Sequence, residues 1–266
     1  MLLCIDVGNT DTKLGFFGLP ASGIGCEMVA DWRVTTIRRR TYDEYGVLFA
    51  ALFNEAGIAL GAVRAIAMSS VVPQTNRDLR DGCRRYFKVD PIVLSARTQR
   101  VMEVRTERPQ ELGADMLAAA IGAREKYGVP AIVIGYGTAT TFSAISRDGA
   151  FLGTAIAPGI QISIDALVEQ TAKLPQVAFE PPASAIGRET VESLQSGLVY
   201  GFVAQTEGIV ERFKLELGRD ARVVATGGLA DVVAENTGVI DAVDKNLALE
   251  GLRIFWEAEV ASPSIR

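Results

Sequence analysis

The chain has 266 residues, 48% hydrophobic and 22% charged, with 27 basic and 32 acidic side chains and no histidine. This excludes disordered, collagen-like and coiled-coil classes, and a chain of this length buries enough surface to fold without staples. A net charge of −5 with no basic face beyond Arg38-Arg39-Arg40 argues against nucleic acid as a partner, and the lack of histidine leaves acid–base work to carboxylates, lysines, hydroxyls or thiols.

Leu2-Leu3-Cys4-Ile5 is an apolar run that enters the turn-forming cluster Asp6-Val7-Gly8-Asn9-Thr10. Lys13-Leu14-Gly15-Phe16-Phe17 then resumes a strand pattern, which predicts a hairpin. The early carboxylate and the missing basic leader also speak against a signal peptide. Tyr45, Leu48, Phe49, Leu52 and Phe53 recur at helical spacing over 42–56, with Gly57 as the stop. A buried strand is predicted over 63–72, then a helix capped by Thr75 and reaching 86, then a short strand over 92–94.

A second block opens near Leu112. It starts with an alanine-rich helix over 116–127 and continues with strands over 131–134 and 140–145. The turn between those strands is Gly135-Tyr136-Gly137-Thr138-Ala139. The uncharged stretch 127–146 is too interrupted by Gly, Thr, Ser and Pro for a membrane helix, so buried strands are expected and no membrane partner. Further helices are predicted over 163–171, 190–217 and 247–257. Val223-Val224-Ala225 reads as a strand leading into Thr226-Gly227-Gly228 and a helix-like segment over 229–235. Cys4, Cys26 and Cys83 have no metal-ligand spacing, and their odd number suits a reducing cytoplasm better than a disulfide framework.

Residues 5–12 and 134–141 both place a Gly- and Thr-rich turn between apolar strands. Aligned without gaps, Gly8 falls on Gly137 and Thr12 on Thr141, which predicts two copies of one α/β unit. Small residues at a hairpin tip let the backbone approach a ligand, and successive amides form a nest for phosphate. Two such tips would clamp a polyphosphate, with Asp6 as a hard oxygen ligand for Mg²⁺. Each tip is equally readable as a tight turn with a local side-chain bond. Thr226-Gly227-Gly228 admits a flat group such as adenine, or is an ordinary strand–helix turn. Asp115 stands where a helix begins, either as a first-turn residue or as a base for an attacking hydroxyl.

These residues together resemble the type III pantothenate kinases of the acetate and sugar kinase/Hsp70/actin superfamily. The likeness runs through Asp6-Val7-Gly8-Asn9-Thr10, Ser69-Ser70-Val71-Val72-Pro73 and Pro109-Gln110-Glu111-Leu112-Gly113-Ala114-Asp115. It continues through Gly137-Thr138-Ala139-Thr140-Thr141, Ala155-Ile156-Ala157-Pro158-Gly159, Ile186-Gly187 with Thr190, and Gln195-Ser196-Gly197. It ends with Thr226-Gly227-Gly228 and Leu249-Glu250-Gly251-Leu252-Arg253.

The resemblance implies two RNase H-like (actin-like ATPase) domains, 1–112 and 113–266, with the nucleotide cleft between them, and a cytoplasmic homodimer. It implies transfer of the ATP γ-phosphoryl to pantothenate, the first step towards coenzyme A. Carried over by position, Asp6, Gly8, Asn9, Thr10, Thr12 and Lys13 would form the first phosphate loop, with Asp6 organising Mg²⁺. Gly137, Thr138 and Thr140 would form the second loop, and Gly227 and Gly228 the adenosine turn. Asp115 would be the catalytic base, with Gly113, Ala114, Met116 and Thr190 on the pantothenate side.

The chain also departs from the family pattern. Met116 stands where the family has Arg, and Thr106 where it has a substrate-contacting Tyr. Gly135 replaces the Asp that binds the family's monovalent cation, K⁺ or NH₄⁺, so that cation has lost its side-chain ligand. Ser143 stands where an Asp follows the second loop, and Thr154 where a Gly is usual. Two readings follow: a kinase on pantothenate or a related acceptor, or a diverged nucleotide-binding paralogue acting through regulation or interaction.

Overall fold

The computed structural model describes residues 1–18 and 26–261. They fall into two compact units, each built on one five-stranded sheet. The first unit takes the residues up to 102, 107–122, and those from 247 onward; the second takes 103–106 and 123–246. These bounds differ from the division expected at 112/113, since 113–122 and the residues from 247 onward group with the first sheet's unit and 103–106 with the second.

In the first unit, β1 (Leu2–Val7), β2 (Asp11–Gly18) and β3 (Glu27–Thr35) form an antiparallel meander. Then come α1 (Tyr42–Glu55), β4 (Ala65–Ser70), α2 (Pro73–Gly82), β5 (Ile92–Val93) and the first part of α3 (Ala114–Tyr127). β4 and β5 extend the sheet in parallel on the other side of β1, giving the order β3-β2-β1-β4-β5.

The unbroken apolar run in β1 has a physical cause. One face meets Phe49 and Phe53 of α1 and Leu79 of α2, where Phe53 stacks 5.2 Å from Trp32 and meets Phe16 edge-on at 5.2 Å. The other face is covered by α7 (Leu247–Ala261), which sets Leu249 against Gly15. A strand buried on both sides loses its polar alternation.

The hairpin, α1 and β4 lie where the sequence predicts them. Thr75 is not the cap of α2. Val72 holds that position, Pro73 opens the helix, and Thr75 is buried in the first turn with its hydroxyl on the Val72 carbonyl at 2.9 Å. Beyond Gly82 the chain widens into a π turn over Cys83–Phe87, so α2 stops short of 86.

The second unit holds β6 (Ala131–Tyr136), β7 (Ala139–Ile145), β8 (Phe151–Pro158), α4 (Ile160–Glu169) and α5 (Thr190–Leu217). β9 (Arg222–Gly227), α6 (Ala230–Glu235) and β10 (Ala242–Val243) complete it. Ile132, Ile134 and Phe142 pack with Ile160 and Ile164 of α4 and Leu198, Phe202 and Val203 of α5. Read from the opposite edge, its strand order β8-β7-β6-β9-β10 repeats that of the first sheet, with the same two antiparallel and two parallel pairings in the same places. The internal duplication is real, and both sheets have the RNase H-like order.

The register refines the alignment. Val7 pairs with Thr12 and Tyr136 with Thr140, so the counterpart of Thr12 is Thr140, one residue before the gapless match to Thr141. The second turn is one residue shorter, and only Gly137 and Thr138 lie between the strands. A β-bulge confirms the shift: it lies at Phe16/Phe17 in one sheet and at Ala144/Ile145 in the other, which are the same positions once Thr12 is set on Thr140. Among the described residues no helix is long and apolar enough to cross a membrane.

Candidate active site

In each unit the parallel strands of the sheet end together, at Val7 beside Ser70 and at Tyr136 beside Gly227. The loops that follow are the ones singled out by sequence. Ligands of open α/β sheets gather at such carboxyl ends.

In the first unit, Asp6 faces Ser69 across the parallel register and Lys13 across the hairpin. The fully buried Ser69 donates its hydroxyl to Asp6 Oδ1 at 2.7 Å. Burial, and next the charge of Asp115, push the Asp6 carboxyl up to about 6, against the opposing pull of Ser69 and Lys13. Asp115, at the second position of α3, is thus close enough to Asp6 for the two charges to repel. Burial raises its proton affinity as well, and hydrogen bonds from the Met116 amide (2.7 Å to Oδ1) and its own amide oppose that rise.

Gly113 is adjacent: a Cβ there would stand 2.6 Å from Asp115 Oδ1 and 3.6 Å from Met116 Sδ. Gly113, Ala114, Asp115 and Met116 therefore form one continuous wall, with a thioether where the family carries a guanidinium.

At the first loop, the Gly8 amide closes the turn on the Asp11 carbonyl at 2.9 Å, and Asn9 and Thr10 are exposed at the tip. Gly8 thus spends its amide on the turn. Thr12 is buried, with its hydroxyl 2.9 Å from that of Thr36, so it supports the loop from beneath.

In the second unit, Gly137 and Thr138 are exposed, and the Gly137 amide closes its turn on the Ala139 carbonyl at 3.1 Å. Thr140 is fully buried, and among the described residues its hydroxyl has no partner. Gly227 adopts φ 108°, and a Cβ there would lie 2.2 Å from the Tyr136 carbonyl oxygen, so the Gly227-Gly228 turn runs directly beside the second loop. Only glycine tolerates both conditions.

Thr190 opens α5 and lines a surface cavity of about 460 Å³ with Gly187, Arg188, Ser193 and Leu194. At Gly135 no carboxylate is present, and the Thr141 hydroxyl lies 2.7 Å from where a Cβ would be.

Sequence reasoning missed Ser69 and Thr36 as site residues. Ser69 acts through strand register, and Thr36 follows a strand that was not expected. Among the described residues no cluster of three or more metal-ligating side chains exists. A divalent ion at Asp6 would therefore rely on one or two carboxylates plus water and phosphate oxygens. That donor set suits Mg²⁺, which keeps part of its hydration shell.

A family model for type III pantothenate kinase matches residues 2–212. The chain belongs to the type III pantothenate kinase family. The Myxococcus xanthus type III pantothenate kinase is 45% identical over 98% of this chain and 100% of its own length. That of Acidobacterium capsulatum is 44% identical over 98% of this chain and 96% of its own. Among solved structures, the activator of 2-hydroxyisocaproyl-CoA dehydratase from Clostridium difficile, with bound ADPNP, matches all of this chain and 98% of its own at a TM-score of 0.57. At 13% identity that likeness concerns the fold alone.

Proposed function

We propose that this chain transfers the γ-phosphoryl group of ATP to the hydroxyl of pantothenate, releasing ADP and 4′-phosphopantothenate at the first step of coenzyme A synthesis. The observation that carries this reading is the pairing of two half-buried carboxylates, Asp6 and Asp115, one at a strand end beside a glycine loop and the other opening a helix.

Asp115 takes the acceptor's hydroxyl proton as the oxygen attacks phosphorus, and then passes it to solvent. Its burial suits a base, because a carboxylate with raised proton affinity accepts a proton more readily. Asp6, fixed by Ser69, would hold Mg²⁺, which when bound offsets charge on the phosphate oxygens. The tips at Asn9-Thr10 and Gly137-Thr138 bind the phosphates, and the Gly227-Gly228 turn lies along adenosine. The Gly113–Met116 wall is assigned to the acceptor, and so is Thr190 by its match to the family pattern. The purified protein should convert pantothenate and ATP, and Asp115→Asn should lower turnover by about 10²-fold or more while leaving ATP affinity in place. Wild-type protein that binds ATP but makes no phosphopantothenate would refute the assignment.

A cytoplasmic homodimer belongs to the same proposal. All three cysteines are unpaired, as a reducing compartment favours. The outward row of the edge strand β8, with Leu152, Thr154 and Ile156, is uncharged, whereas its counterpart β3 exposes Glu27, Asp31 and Arg33. Charges guard an edge from pairing, and an edge without them is available to a second copy. A sedimentation experiment that finds only monomer would remove this part.

A further inference from the structure

The first phosphate loop is held from outside by Thr36, the residue directly after β3. Its hydroxyl donates to the Gly8 carbonyl at 2.8 Å, and its amide donates to the Thr10 carbonyl at 2.9 Å. A hydroxyl has a single proton. Since that of Thr36 goes to Gly8, the 2.9 Å contact between Thr12 and Thr36 has Thr12 as its donor. The outcome is a relay from Thr12 to Thr36 to Gly8, in which each bond polarises the next.

The second unit shows the same place without the brace. Thr12 pairs with Val34 and Thr140 with Ala157, so two residues further on Thr36 corresponds to Gly159. Two consequences follow. Thr140, which lacks a hydroxyl to bond, is the buried orphan noted above. The main chain at Gly159 also presses against the second loop, since a Cβ there would lie 2.2 Å from the Thr138 carbonyl oxygen. The fold accepts glycine at this position, so the three bonds of Thr36 serve the loop and not the sheet.

We infer that Thr36 is a positioning residue for the phosphates of the nucleotide. It holds the turn from Gly8 to Thr10 in the shape that presents Asn9 and its neighbours to an anion, without touching the ligand itself. This rests on the ATP-binding role proposed for that loop.

The test compares wild type, Thr36→Val and Thr36→Ser by calorimetric titration with Mg²⁺–ATP and, in parallel, with adenosine. Valine keeps the shape and the amide bond but removes the relay. Thr36→Val should weaken ATP binding about tenfold, near 1.4 kcal/mol, and leave adenosine affinity unchanged. Thr36→Ser should behave as wild type. Equal ATP affinity in wild type and Thr36→Val overturns the inference, and so does parallel loss of ATP and adenosine binding, which marks a merely structural role. If Thr36→Val does not fold, Thr12→Val withdraws only the donor behind Thr36. A several-fold loss of ATP affinity there supports the relay and no change overturns it. Wild type that binds no ATP would instead sink the loop reading on which the inference stands.

Discussion

Replacing Asp6 by Asn should make the metal-free protein more stable while abolishing its activity. The Asp6 carboxyl is raised from an ordinary 3.8 to about 6, first by burial and then by Asp115. Between those two values the folded state binds this proton more tightly than the unfolded chain does. Stability therefore falls as pH rises through that window and stays lower above it. At 1.36 kcal/mol per pK unit, the ionised Asp6 costs about 3 kcal/mol at pH 8. Asn keeps the size and still accepts the Ser69 hydroxyl, so Asp6→Asn should recover up to about that amount at pH 8 and nothing near pH 3.5. Urea unfolding in chelator, followed by tryptophan fluorescence, reads the right unit, because both tryptophans, Trp32 and Trp256, lie in the first. Added Mg²⁺ should stabilise wild type and leave Asp6→Asn unmoved. An Asn variant no more stable than wild type at pH 8, or with the same pH slope between 4 and 6, would refute the reasoning.

Other perturbations probe other parts of the molecule. A Cβ at Gly251 would stand 1.8 Å from the Ala118 carbonyl oxygen, main chain that cannot rotate away, so Gly251→Ala should destabilise the first unit by about 3 kcal/mol in the same fluorescence assay. Met116→Arg puts a guanidinium beside Asp115, and a charge-assisted hydrogen bond to the pantothenate carboxylate, worth about 1.5–3 kcal/mol, should lower KM for pantothenate tenfold or more. Adding Thr106→Tyr should lower it further, and unchanged steady-state kinetics in the double variant would remove this account of the acceptor wall. With no carboxylate at Gly135, turnover should be the same in K⁺ and Na⁺ at equal ionic strength, and K⁺ activation would show that other oxygens have taken over that site.

The sequence made some of this legible, for physical reasons. The turns after β1 and β6 could be read because glycine, asparagine and threonine there follow strands too apolar to be anything but buried. α5 was readable in full, since its apolar residues return at helical spacing. The edge strands β3 and β8 were not. β3 alternates Met28, Ala30, Trp32 and Val34 with an outer row in which Val29 interrupts the charges, and sinks its inner row only halfway, while β8 exposes Leu152 and Ile156 where polar residues would mark an outer face. The partnership of Asp6 with Asp115 and Ser69 lay beyond reach for another reason. It depends on strand register and on the docking of α3, and no local pattern encodes either.

The duplicated fold also explains why the departures at Gly135 and Met116 differ in weight. Asp6 and Lys13 face each other at the end of β1, and their counterparts at the end of β6 are Gly135 and Thr141, so one loop is charged and its copy is neutral. Both carboxylates, Asp6 and Asp115, belong to the first unit, as does the start of α3. Gly135 therefore leaves its loop with backbone and hydroxyl groups alone, and Asp6 and Asp115, to which the metal and proton-accepting roles are proposed, are untouched. Met116 lies one residue from Asp115, the proposed base, and its amide already holds Asp115 Oδ1. An arginine there would keep that amide bond and add a cation next to a carboxylate whose proton affinity is raised by burial, which would lower that affinity. The change to methionine thus reaches the acceptor and the base together, and for that reason position 116 rather than 135 should control how well this enzyme turns over pantothenate.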